Sequence, residues 1–504
     1  MTGRKAAVLK RAARYLPLLI MAAGAALRLA GIVSAPPGLN QDEASAGYDA
    51  WAILNYGVDR AGCRLPVLLT AWGSGQNALY SYLAMPFIAL LGAGKLALRL
   101  PAALLGCASL PLFYRMADRI CGKRAAVWAL AAMAFNPWHV MLSRWALESN
   151  ILPFFLLLGT ALLTRSEKRP ALLPCAAAAY ALALYAYGTA FIFLPFFLAA
   201  SCAVLLRGKR TKARYILISA AVFALIAAPI TLCNIRNVLR ADETSLLGLT
   251  LPKLTQTRQS DTVTFSAGNL VSLLRLLWRQ DDGLLWNSPG RFGQLFGLPG
   301  LLFALLGLGE YVYRLSRKKA ERAEIFVFIA LCSSLAASFF IKVNVNRMNM
   351  IYLPLIWYQG RGLSLTGRRL ALSAVQAAAL LTAAALFANF YFGAYSRSLS
   401  PLFFGGLGEA IEYASRLDGG EIWISGRVNM PYIFALFYSQ TPPGEFVESV
   451  VYPDPEAAFR QVSSFGRFRF GDSPPAGALY IAPAGAEKGA VLARFDNYSV
   501  ARKR

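Results

Sequence analysis

Histidine is almost missing from this chain: 504 residues carry one, His139. That excludes a His-cluster metal site. The seven cysteines are scattered, mostly inside apolar runs, and no two form a C-x-x-C pair. A disulfide framework and a structural zinc site are therefore not expected. Acidic residues number 26 against 51 Lys and Arg, and charged residues make up only 15% of a chain that is 57% hydrophobic. So much apolar surface at this length excludes a soluble globular protein and points to a multi-pass membrane protein. A formal charge of +25 would suggest nucleic acid in a soluble chain. Here the basic residues fall in short loops between apolar runs, the positive-inside pattern. Internal repeats and low-complexity tracts are also lacking.

What is present begins with Arg4, Lys5, Lys10, Arg11 and Arg14 ahead of an apolar run from about 15 to 33 that stops at Pro36-Pro37. With no small-residue cleavage site in view, this reads as a retained first membrane helix. Further apolar candidates lie near 98–118, 124–142, 150–165, 170–187, 189–207, 214–233, 296–314, 324–341, 347–360 and 369–391. The basic clusters Arg115/Arg119/Lys123/Arg124, Arg165/Lys168/Arg169, Arg207/Lys209/Arg210/Lys212/Arg214, Arg314/Arg317/Lys318/Lys319/Arg322 and Arg361/Arg368/Arg369 are each separated by two spans, so all are expected inside. The N-terminus is then cytoplasmic, and 34–77, 143–150, 234–295 and the C-terminal tail lie outside. Tyr80–Leu91 breaks the parity if it crosses; it reads as a helix on or dipping into the outer surface. The expected fold class is an α-helical multi-pass membrane protein of about eleven spans. After Phe392 the composition changes. Strands are expected at Glu421–Ser425, Ala478–Ala482 and Val491–Val500, with short helices at Pro431–Tyr438 and Asp454–Val462. This divides the chain into a membrane domain, 1–395, and a small extracytoplasmic α/β domain, 396–504.

The residues of chemical interest sit at the outer boundary. Asp42 and Glu43 follow the first apolar run, where charge is costly unless used or paired. They suit a general base and a helper. Equally, Asn40 and Glu43 have the spacing of a capping box, and the two readings are compatible. Two carboxylates there could also hold a divalent cation, although none is required. Arginines at outer helix ends, Arg99, Arg144 and Arg347, suit a phosphate or lipid headgroups. Asn346 and Asn349 flank Arg347 and could bind the same ligand, or simply glue helices together. His139 reads as an interfacial or capping side chain. Glu148 reads as an i+4 partner of Arg144, Asp49 as a supporting contact, and Asp281-Asp282-Gly283 as a turn. Tyr180, Tyr185, Tyr187, Phe191 and Phe193 read as helix packing and interface belt.

These stretches, taken in order, resemble a family. Asp42-Glu43, Tyr48, Ala50, Ala52, Gly57-Val-Asp59-Arg60-Ala-Gly62 and Pro66 resemble the first outer loop of the GT-C glycosyltransferases. The likeness is greatest to the branch with protein O-mannosyltransferases and aminoarabinose transferases. Gly94 through Arg99-Leu-Pro101, Asn136-Pro-Trp-His139 with Ser143-Arg-Trp-Ala-Leu-Glu148-Ser-Asn150, Asn344-Val-Asn346-Arg347-Met-Asn349 and Phe404 through Ala410 extend it over nearly the whole chain. The resemblance implies a polyprenyl-phosphate-linked sugar donor, chemistry on the outer face of the cell membrane, Asp42 as base and Glu43 as its partner acid. Tyr48, Gln76 and Asn77 join the candidate substrate contacts. Where the aminoarabinose branch has a lysine-bearing element, this chain reads Gly75-Gln76-Asn77, without the lysine. The expected function is transfer of a sugar to a protein, lipid or glycan acceptor, by inverting single displacement. The alternative from another class is a flippase for the same lipid-linked sugar, without bond making.

Overall fold

A computed structural model describes residues 3–207, 212–256, 263–367, 369–417 and 420–503. Lys209, Arg210 and Arg368 of the basic clusters lie outside the described residues. The first three-quarters of the chain is mainly helical: α1 (Gly3–Leu29), α2 (Gln41–Tyr56), α3 (Leu79–Leu91), α4 (Lys95–Ala134), α5 (Pro137–Leu142), α6 (Leu152–Ser166) and α7 (Leu173–Ala186). It continues through α8 (Ala190–Arg207), α9 (Ala213–Val238), α10 (Ala267–Arg279), α11 (Gly297–Ser316), α12 (Ile325–Ser338), α13 (Asn349–Thr366) and α14 (Leu370–Phe390). Among the described residues, six helices are long and apolar enough to cross a membrane by themselves: α4, the helical run 148–166, α8, α9, the run 290–316 and the run 370–399.

Every apolar candidate of the sequence coincides with helix, with one difference. Residues 95–134 hold two helices joined by a kink at Gly122, whose backbone (φ 78°, ψ 164°) no helix adopts, in keeping with the separate candidates 98–118 and 124–142. Residues 124–142 are not continuous. The helix stops at Ala134, and Asn136 caps a new one by accepting from His139 N. Pro137 lacks the N–H that continuation would need. α3, at 13 residues, spans about 20 Å, short of a ~30 Å hydrocarbon core. It packs against α2 and α4.

The basic clusters meet at one end of the bundle. Arg322 pairs with Glu167 and donates to Val204 O, while Arg314 and Arg361 share Glu310 and Glu324. Arg124 donates to the Gly367 carbonyl. The loop ends that hold Asp42, Gln76 and Arg347 belong to the other end.

The C-terminal part contains a six-stranded sheet of strands β1 (Ile422–Ile424), β2 (Ser464–Phe465), β3 (Phe468–Phe470), β4 (Leu479–Pro483), β5 (Ala490–Phe495) and β6 (Tyr498–Arg502). Their spatial order is β2-β3-β1-β4-β6-β5, with β3, β1 and β4 parallel and the outer pairs antiparallel. The expected last strand is a hairpin, because Asp496-Asn497 turns the chain between β5 and β6. The helix expected at Asp454–Val462 is absent: Asp454 Oδ1 accepts from Glu456 N in a turn, and Arg460 N bonds Trp72 O, so these amides find partners outside a helix. A helix forms instead at Pro443–Ser449, where Pro443 sits at the first turn, which tolerates it. The helix Pro431–Ser439 docks on α2.

Candidate active site

The link from α1 to α2 is irregular backbone at the end of an apolar bundle, so its carbonyls need donors. Two buried arginines supply them. Arg144 donates to Leu27 O, Arg28 O, Gly31 O and twice to Ala35 O, at 2.9–3.2 Å. Arg99 donates to Ile32 O, Pro36 O and Gly38 O, and through Nε and Nη2 to the two oxygens of Glu43 at 2.8 and 3.0 Å. All five N–H donors of each guanidinium are thereby taken up. Gly38 (φ 74°) lies so close to the 404 segment that a Cβ would sit 2.0 Å from Phe403 O.

This clamp corrects the sequence reading of both residues. Arg99 and Arg144 have no donor left for a phosphate; they hold the segment that delivers Asp42. Arg144 does not pair with Glu148. A third buried arginine, Arg28, donates to Gly24 O, Ala134 O and Met133 O and contacts His139 Nδ1 at 2.7 Å.

At the start of α2, Asn40 and Glu43 form the capping box in full: Glu43 N to Asn40 Oδ1 at 2.9 Å, Asn40 N to Glu43 Oε2 at 3.1 Å. Glu43 is completely buried, and its Oε1 also accepts from Ala146 N at 3.0 Å. Each carboxylate oxygen accepts two bonds, so a metal ion held jointly by Asp42 and Glu43 does not fit these residues. Asp42, one residue earlier, is half-buried in the same helical turn. Its carbonyl lies 3.5 Å from Gln76 Nε2, and Gln76 Oε1 accepts from Ser45 Oγ at 2.7 Å. The pair thus separates into a locked residue and an accessible one.

Tyr48, expected at substrate, is buried and donates to Thr441 O at 2.7 Å. Burial holds its phenol above the usual tyrosine range, so the proton for that bond stays in place. Asn349 is also structural, accepting from Trp138 Nε1 and donating to Ser149 O, both at 3.0 Å. Asp49 forms a buried ion pair with Arg60 at 2.7 Å. Asp281 and Asp282 close turns onto Gly283 N and Leu284 N.

Beside the Gln76 segment opens a cavity of ≈ 180 Å³. Its polar lining comprises Ser74, Asn77, Glu148, Thr189, Asn234 and Arg347; Phe191, Ile192, Ile230 and Ile341 supply apolar wall, and Tyr187 also faces it. Asn77 bridges the parts: its N–H bonds Glu148 Oε2 at 2.5 Å, and its side chain donates to Leu184 O at 3.1 Å. Arg347, half-buried, donates one bond, 3.3 Å to Lys342 O, among those described. Of Arg99, Arg144 and Arg347, it alone keeps side-chain donors for a ligand among the described residues. Asn346 lines a small neighbouring cavity of ≈ 20 Å³, and its Oδ1 is buried without a partner.

The structure brings Asn77 and Arg347 around one space, buries Gln76 beside them against Ser45 and the Asp42 carbonyl, and leaves Tyr48, Arg99, Arg144 and Asn349 in supporting bonds. Sequence reasoning gave Glu148 to Arg144, passed over Thr189 and Asn234, and assigned Tyr187 and Phe191 to packing and the interface belt. The readable signals were the Tyr187-Gly188-Thr189 break between two helical runs and an unneeded amide at Asn234 inside an apolar one.

Residues 77–232 match the family model described as dolichyl-phosphate-mannose-protein mannosyltransferase. A comparison with curated protein sequences finds no match. Among solved structures, ArnT from Cupriavidus metallidurans bound to undecaprenyl phosphate superposes with a TM-score of 0.61 at 13% identity, covering 96% of this chain and 97% of that one. Its apo form gives 0.58 at the same identity and coverage. The Archaeoglobus fulgidus oligosaccharyltransferase in complex with zinc and sulfate gives 0.50 at 14% identity, over 84% of this chain and 61% of that one. Over nearly its whole length the chain therefore shares the fold of ArnT.

Proposed function

We propose that the protein transfers a sugar from a polyprenyl-phosphate donor to a hydroxyl-bearing acceptor, at the end of the bundle away from the basic clusters. The observation that carries this reading is the cavity of ≈ 180 Å³ lined by Arg347, Glu148 and Asn77, next to Gln76, whose amide reaches the Asp42 carbonyl, in a fold shared with ArnT bound to undecaprenyl phosphate.

The chemistry follows from the geometry. The acceptor hydroxyl gives its proton to the Asp42 carboxylate as its oxygen bonds to the anomeric carbon. The bond from that carbon to the phosphate oxygen breaks, and polyprenyl phosphate leaves with the electron pair. Arg347 receives the growing phosphate charge as a fixed cation. A single displacement inverts the anomeric centre. Glu43 does not meet the acceptor; through Arg99 and the capping box it fixes the turn on which Asp42 rides. Residues 396–504 pack on α2 through Tyr48 and Thr441, which suits a domain that covers the site. The expected setting is the cell membrane, with this end extracytoplasmic.

The test is transfer from a radiolabelled polyprenyl-phosphate sugar by purified protein. Asp42→Asn is expected to abolish transfer with the melting temperature unchanged. Full transfer by that variant would remove Asp42 as the base.

A further inference from the structure

The wall of the cavity between α7 and α9 carries two polar side chains that the protein itself does not use. α7 ends when Tyr187 becomes extended (φ −160°, ψ 141°), and α8 begins three residues later at Ala190. Thr189 lies in this break, about nine-tenths buried, and its Oγ1 has no hydrogen-bond partner. Several hydroxyls elsewhere in the bundle find their own helix: Ser109, Thr160, Ser219 and Ser334 each donate to the carbonyl four residues back, at 2.6–2.9 Å. That back-bond is the ordinary fate of a hydroxyl in an apolar helix. The break denies it to Thr189.

Asn234 stands in similar contrast to its neighbour. Asn237, one turn on, is saturated by Cys233 O, Pro252 O and Leu254 N. Asn234, on the same helix, lines the cavity, and its side chain makes no hydrogen bond among the described residues. Both line the cavity together with Phe191, Ile192 and Ile230. Neither is charged, so neither neutralises a phosphate. A hydroxyl and an amide together offer donors and acceptors suited to ligand hydroxyls.

We propose that Thr189 and Asn234 form the subsite that reads the hydroxyls of the transferred sugar, while Arg347 in the same cavity holds the phosphate. This rests on the donor class proposed above and assigns its recognition to specific residues. A site built to hydrogen-bond a substrate hydroxyl discriminates against the analogue lacking it. The protein then distinguishes a sugar-bearing lipid phosphate from the bare one at this wall.

The experiment measures binding to the purified full chain, without transfer. The ligands are decaprenyl phosphate and decaprenyl phosphates bearing mannose, galactose, N-acetylglucosamine or aminoarabinose. The wild type is expected to prefer at least one sugar-bearing lipid over the bare phosphate. Thr189→Val and Asn234→Leu, which keep shape while removing polarity, each cut that preference roughly tenfold and leave affinity for decaprenyl phosphate unchanged. Arg347→Ala weakens all ligands in parallel. Equal affinity of the wild type for bare and sugar-bearing lipids overturns the proposal. So does an unchanged preference in both wall variants, or an equal loss for bare and sugar-bearing lipids, which would mark a structural role. The Asp42→Asn transfer assay is independent, so a failed subsite leaves the base assignment standing and the reverse also holds.

Discussion

Two neighbouring carboxylates, Asp42 and Glu43, answer mutation differently because Glu43 is completely buried in the clamp and Asp42 is half-buried at its edge. Glu43 and Arg99 are both fully buried and joined by two bonds. Removing one member leaves the other charged and uncompensated, a change that costs about 3–5 kcal/mol. Glu43→Ala is therefore expected to lower the melting temperature and the yield of folded protein, losing activity only as a consequence. Asp42→Asn loses activity alone. Thermal unfolding of the two purified variants, side by side, separates the roles; equal melting temperatures would contradict the clamp. Arg347 is the complementary case. With one described bond to a carbonyl, it contributes little to folding, and its guanidinium suits phosphate oxygens as a charge-assisted donor. Arg347→Ala is expected to weaken polyprenyl-phosphate binding by roughly 10–100-fold, the range of a hydrogen bond to a charged group, with Lys restoring part of it.

At the scale of elements, the loop between α2 and α3 is built around Asp59. Its Oδ1 accepts from Ala61 N and Cys63 N at 2.9 and 3.0 Å, and its Oδ2 contacts Thr70 Oγ1 at 3.2 Å. Burial, aided by the charge of Asp49, pushes its carboxyl up to about 6, against the pull of those amides. An unfolded Asp titrates near 3.9. Between these values the folded loop holds a proton that the unfolded chain has lost, so stability falls as pH rises from about 4 to 6, by roughly 3 kcal/mol in all. Amide exchange across 57–77, corrected for intrinsic rate, is expected to be faster at pH 7 than at pH 5. Asp59→Asn, neutral throughout, should flatten the difference; a loop equally protected at both pH values would sink the assignment.

The same loop shows what a sequence can and cannot disclose. Apolar run length located the helices, because a bilayer imposes it, and Asn40 with Glu43 announced the cap through spacing alone. The fate of Arg99 and Arg144 was not legible. Their partners are main-chain carbonyls of residues 27–38, and a carbonyl carries no residue identity. Tyr48 was misread for the same reason, since it bonds a carbonyl 393 positions away. Arg347 could be proposed from sequence because an arginine at a helix end needs no distant partner to be recognised.

For the whole molecule, one asymmetry organises everything else: the basic clusters occupy one end, and α2, the cavity and the C-terminal sheet occupy the other. Contacts such as Arg322 with Glu167 and Val204 O, and Arg361 with Glu310, tie four separate turns into the basic end. Positive loops are retained in the cytoplasm during insertion, so the cavity end should face out, where a nucleotide sugar is not supplied and a lipid-borne donor is needed. Single cysteines in a background lacking the seven native ones read this directly in intact cells. A cysteine at Lys318, exposed in the turn after α11, is expected to resist a membrane-impermeant maleimide until the membrane is opened. One at Glu412, exposed on the helix Leu407–Arg416, should react at once. Reversed labelling would place Asp42 in the cytoplasm, where nucleotide-activated sugars are at hand, and would remove the reason for a polyprenyl carrier along with the sidedness.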